Sequence, residues 1–182
     1  MKTTQLNNYL FIAFTLLILT CLSSCSKNDG DIGDSSEKFL SCKLNGKEYN
    51  FNYHVNANDK PAEEVVHFVV ISGWEKEDMV TGFGIDLLIP GDGVKEQSYS
   101  VAGGSVPELD GQYYIQNYKD GKIMGTTVYS GGRSDGTQFT LTITSLTAWG
   151  VKGTFSGKLR LSAGDEYINV TDGKFSAPYN GN

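Results

Sequence analysis

The chain is poor in the residues that most often carry chemistry. Its 182 residues include two histidines, three cysteines, two tryptophans and four prolines. A zinc site of the usual kind draws three or four ligands from His, Cys and carboxylates at close spacing; His54 and His67 are too isolated to start one. Gly153-Thr154-Phe155-Ser156-Gly157 is no nucleophile elbow, because it puts its serine one place late for Gly-x-Ser-x-Gly and in a strand pattern. Gly103-Gly104 and Gly131-Gly132 lack the Lys-Ser/Thr and the helix of a phosphate loop. Basic residues number 15 against 21 acidic, without clustering, which excludes nucleic acid as a partner, since its backbone demands a basic patch. No long stretch carries helical period, and neither cofactor nor metal is expected.

What is present begins with an apolar run over 10–22 behind Lys2, ending in Leu22-Ser23-Ser24-Cys25. A charged start and an apolar core of roughly 7–15 residues make a signal peptide. The run is too short for a transmembrane helix, which needs about 20 apolar residues. Leu at −3, small residues at −2 and −1 and Cys at +1 resemble the bacterial lipobox. That resemblance implies cleavage before Cys25 and a diacylglyceryl group on its thiol. Cys21, preceded by Thr20 and Ile18, fits less well. Because Lys2 is the only charge removed, the formal net charge of −6 becomes one unit more negative.

With Cys21 discarded and Cys25 acylated, Cys42 stands alone and has no partner for an internal disulfide. Its strand-like surroundings, Phe39-Leu40-Ser41-Cys42-Lys43-Leu44, make it a buried small hydrophobe rather than a nucleophile. Residues 26–37 carry Asp29, Asp31, Asp34 and Glu37 with almost no apolar side chain. Such a segment cannot bury enough surface to order itself, and as a tether it would span roughly 20 Å on average. Asp29-Gly30-Asp31 is no EF-hand, since Gly33 and Leu40 occupy the fifth and twelfth places. Acids after a lipidated Cys resemble the export signals of Bacteroidota surface lipoproteins.

Residues 38–179 read as one all-β domain. Strand patterns recur between Gly, Asp and Asn clusters: 39–44 and 47–55 around Asn45-Gly46, then 65–71, 83–89, 97–101, 112–118 and 122–129 around Asp120-Gly121. After these come 139–144 and 151–161, with 167–170 pairing 174–177 across Asp172-Gly173. The 65–71 run, apolar on both faces, should be a central strand with His67 inside it, and His54 should be exposed. A longer loop is expected through 102–111. About nine or ten antiparallel strands imply two packed sheets or a closed barrel. The uneven lengths favour an antiparallel β-sandwich over a closed lipocalin-like β-barrel.

Leu44-Asn45-Gly46-Lys47 followed by Tyr49, Gly153-Thr154-Phe155-Ser156-Gly157, and Thr171-Asp172-Gly173-Lys174-Phe175 together resemble the opening and ending of uncharacterised Bacteroidota lipoprotein β-domains. The resemblance covers about 40 residues at the two ends and implies a β-rich lipoprotein domain of the outer membrane, periplasmic or surface-exposed. It carries no catalytic residues across.

Three aromatic residues are the candidate ligand-binding set. Trp74 ends a strand near a turn, Tyr114 shares a strand with Tyr113 on the opposite face, and Trp149 stands in a connection before Gly150. Exposed rings at strand ends stack on sugars and peptides. Asp86 lies within an apolar strand and must face either solvent or a partner. The expected protein is a lipid-anchored, non-catalytic binding or accessory module, joined to the membrane through Cys25, with a glycan or protein as ligand. The alternatives are a polysaccharide-acting enzyme using paired carboxylates and a structural component of an envelope assembly.

Overall fold

A computed structural model describes residues 37–58, 61–62, 64–104 and 106–181. The expected signal peptide, the lipid-attachment residue Cys25 and nearly all of the acidic tether lie outside the described residues. Glu37–Asn182 forms one compact unit, and its regular elements among the described residues are all strands.

In chain order the strands are β1 (Phe39–Leu44), β2 (Lys47–Asn50), β3 (Tyr53–Ala57), β4 (Phe68–Trp74), β5 (Thr81–Leu88) and β6 (Ser98–Ala102). They continue as β7 (Glu108–Lys119), β8 (Lys122–Gly132), β9 (Gln138–Leu146), β10 (Gly150–Leu161) and β11 (Tyr167–Pro178). Among the described residues the count is eleven, and every pairing is antiparallel. The strand order is β2-β1-β11-β10-β8-β7-β5-β4-β3, with β9 and β6 branching from β10. The sheet does not close on itself. It is a β-sandwich whose two end strands, β2 and β3, are consecutive in the chain.

That continuity corrects one expectation, a single strand over 47–55. Phe51 and Asn52 carry the chain from one layer to the other: the Phe51 amide donates to the Leu40 carbonyl at 2.7 Å, and Asn52 Oδ1 accepts from the Leu40 amide at 3.0 Å. Phe51 is fully buried between the layers, so its side chain drives the crossing. His54 is exposed, as expected, with φ +52° where the β3–β4 register shifts.

Asn45-Gly46 and Asp120-Gly121 turn the β1–β2 and β7–β8 hairpins with φ of +49°/+83° and +51°/+73°, the positive values a type I′ turn needs. Asp172-Gly173 does not turn the chain. Asp172 has the same kind of φ, +52°, but it sits inside the continuous β11, where register shifts toward both β1 and β10 mark a bulge. The expected central strand 65–71 also moves. Strand β4 starts at Phe68 and buries alternate residues, Val69 and Ile71 inward, while Val65 and Phe68 are exposed. His67 is therefore half-buried at the entry to β4, not interior, with Nδ1 3.4 Å from the Ile89 carbonyl.

The core between the layers is aromatic at its centre. Phe155 lies 5.1 Å from Phe83, 6.3 Å from Phe139 and 6.4 Å from Phe175, centroid to centroid, and Phe51 continues the chain to Phe83 at 5.6 Å. The Phe139 ring lies against Gly111, where a Cβ would collide with it. Cys42 is buried and unpaired, and burial pushes its thiol up to about 12, which keeps it protonated and inert.

Candidate binding face on the outer side of strands four, five and seven

The 102–111 segment, expected to be a loop, becomes strand from Glu108 onward. Leu109 and Gly111 point inward, so Glu108, Asp110, Gln112 and Tyr114 face out. Pairing with β5 then sets outward rows across three strands: Trp74–Gly82–Tyr114, Ser72–Gly84–Gln112, Val70–Asp86–Asp110 and Phe68–Leu88–Glu108.

The first row explains how Trp74 and Tyr114 come together. Gly82 lies between them without a side chain, and a Cβ there would collide with the Tyr114 ring. The rings meet edge to face at 5.0 Å and 81°, both half-buried. Tyr113, on the other face, belongs to the core, which settles the expected division of the two tyrosines. Tyr118 continues the outward line toward the β7–β8 turn, 47% exposed, its hydroxyl donating to Gln116 Oε1 at 3.0 Å. Trp149 does not join this face. It sits in the β9–β10 turn with Lys152 Nζ 5.6 Å from its ring centroid.

The next row is small and polar. Ser72 Oγ donates to Asn56 Oδ1 at 3.2 Å, Gln112 is half-buried, and Gly84 leaves the floor open. Beyond it stand two acids. Asp86 is directly opposite Asp110. The carboxyl of Asp86 is held above the usual range, first by desolvation and then by the charge of Asp110. Asp110 is fixed: its Oδ1 accepts from the Ser134 amide at 2.8 Å and its Oδ2 from the Ser134 hydroxyl at 2.9 Å. Burial and then the Asp86 charge raise the Tyr114 phenol as well, so ring and acid share one electrostatic environment. Behind the acids, Phe68, Val70 and Leu88 wall a shallow hollow of about 220 Å³, with Arg133 and Glu108 ion-paired at its rim.

From Gly82 to Asp86 is four strand residues, or about 13 Å. Within that distance lie an aromatic wall, a glycine floor, neutral hydrogen-bonding groups and a carboxylate. Among the described residues, no group of three or more His, Cys, Asp or Glu side chains could hold a metal ion. Asp110 falls within the expected 102–111 loop, where an acid reads as merely solvated; the alternation of Leu109, Gly111 and Tyr113 is the signal that places it in a strand. Comparison of the chain with family models, curated proteins and solved structures found no match.

Proposed function

We propose that the chain is a lipid-anchored bacterial envelope protein, held at the outer membrane through Cys25, whose β-sandwich is a non-catalytic binding or accessory module for a glycan. The observation that carries the binding reading is the Trp74–Tyr114 pair seated over Gly82, next to Gly84, Ser72 and Gln112. A sugar ring has an apolar C–H face and a polar rim. The aromatic wall suits the first, and the serine, amides and Asp86 suit the second. The span of about 13 Å takes two or three sugar units. A glycan array probed with the intact protein tests this. Binding that is lost in Trp74→Ala and Tyr114→Ala supports it, and no binding to any glycan at millimolar sugar refutes it.

A second reading, hydrolysis by paired carboxylates, draws on Asp86 and Asp110. Retaining glycosidases hold two carboxyl groups about 5–5.5 Å apart, on the scale of directly opposed cross-strand residues. Two features favour binding over catalysis. Both Asp110 oxygens are engaged by Ser134, which blunts a nucleophile, and the hollow beside the pair is shallow and open to water. Release of reducing ends from a polysaccharide, abolished by Asp86→Asn, would favour the second reading.

A further inference from the structure

A broad concavity lies on the other layer, where β10 changes partners. Through Gly157 its edge pairs with β9; from Arg160 the same edge pairs with β8. At the fork between them, the carbonyl of Lys158 is capped by the Thr137 hydroxyl in place of a strand partner. The sheet splays there, and a groove of about 680 Å³ opens across β9, β10 and β11. A second hollow of about 440 Å³ shares Thr140, Ser156 and Thr171 with it.

The lining is chemically uneven. Thr140, Ser156 and Thr171 present hydroxyls, each both donor and acceptor, and Ser100 Oγ lies 2.9 Å from Thr140 Oγ1, extending the row to β6. Tyr167, 44% exposed, forms one wall. Lys158 is the only charged side chain in the lining. It has no carboxylate within ion-pair distance among the described residues, and its ammonium rests over the Tyr167 ring, 4.1 Å from the centroid. The nearest acid in the adjoining hollow, Asp172, is already paired with Lys43 at 2.7 Å. On an acidic chain this leaves one uncompensated cation beside an aromatic ring and a ladder of hydroxyls.

We infer that the groove binds an acidic oligosaccharide, one whose rings carry carboxylate or sulfate. The hydroxyl ladder hydrogen-bonds the sugar hydroxyls, the exposed part of Tyr167 packs against a ring, and Lys158 takes the anionic substituent. This site is separate from the Trp74–Tyr114 face and does not depend on the function proposed for that face.

The test is titration of the isotopically labelled intact protein with short oligogalacturonate, alginate and chondroitin sulfate fragments, and with cellohexaose as the neutral control, followed by amide NMR. At least one acidic probe is expected to move Thr140, Ser156, Lys158 and Thr171, and to bind about tenfold more weakly to Lys158→Met. Lys158 is exposed, so that variant should keep the wild-type spectrum elsewhere. Lys119→Met, at an exposed lysine of the β7–β8 turn, is expected to leave the affinity unchanged. The inference is overturned if no acidic probe perturbs the groove at millimolar concentration, if cellohexaose binds there equally well, or if Lys158→Met binds like wild type.

Discussion

The Asp86–Asp110 pair makes a prediction whose sign runs against the usual behaviour of carboxylates. Replacing Asp86 with Asn keeps the shape of the side chain and removes one of two charges directly opposed across β5 and β7. Like charges in that position cost roughly 0.2–1 kcal/mol. Asp86 faces solvent, which screens the repulsion, so about 0.5 kcal/mol of stabilisation is expected at neutral pH, or a Tm rise of about 1–2 °C. The folded protein holds the Asp86 proton to higher pH than the unfolded chain does. Its contribution to stability is therefore full below the unfolded value, near about pH 3.9, and is lost as pH rises through the folded value. The stability gap between Asp86→Asn and wild type should thus be near zero in acid, open as pH rises through that window, and then stay constant. Salt should narrow it. Asp110→Asn relieves the same repulsion but weakens two charge-assisted bonds from Ser134, and the balance should destabilise the protein by about 1 kcal/mol. Urea titrations of the three proteins across acid to neutral pH measure all of this. An Asp86→Asn protein less stable than wild type at neutral pH, or a gap that shrinks as pH rises, would refute the reasoning.

Three further outcomes are expected. Gly111→Ala puts a methyl group into the Phe139 ring and should cost about 1–3 kcal/mol in urea denaturation by overpacking the core; an unchanged midpoint would mean the ring has room to move. Cys42, buried with its thiol raised to about 12, should resist maleimide in the native protein and react on unfolding in urea, and rapid native labelling would contradict its burial. With the proposed anchor on Cys25, Cys25→Ala should abolish incorporation of radioactive palmitate when the chain is expressed in a bacterium; persistent label would refute that anchor.

Much of the fold was legible because local chemistry and alternation agree. Threonine alternates with Phe139, Leu141 and Ile143 in β9, and those three residues are buried. Asn45-Gly46 and Asp120-Gly121 turn their hairpins because Gly at the second central position and Asn or Asp at the first accept positive φ. The same dipeptide chemistry misleads at Asp172-Gly173, and the expected 102–111 loop misplaces Gly111. The bulge at Asp172 uses the same positive φ as a turn, and an inward glycine can serve a neighbouring ring as well as a loop. Only the partner strands distinguish these uses: β1 and β10 hold Asp172 within β11, and Phe139 occupies the space over Gly111.

The candidate residues divide in the same way. Trp74 and Tyr114 could be named from their chain positions, but their contact at 5.0 Å depends on Gly82 arriving between them from a third strand. Trp149, chosen on the same chemical grounds, belongs to a different turn. Asp86 was visible as an acid in an apolar strand, whereas its opposition to Asp110 required the β5–β7 register.

By itself, then, the sequence determined the all-β class, the burial of Cys42 and the Asn45-Gly46 and Asp120-Gly121 hairpins, because side-chain alternation and backbone φ are properties of a few neighbouring residues. Tertiary structure decided which strands lie beside one another, and with them the aromatic pair over Gly82, the opposed acids and the groove at the β10 fork. These depend on contacts between residues far apart in the chain, whose geometry is fixed by packing the aromatic core rather than by any local pattern.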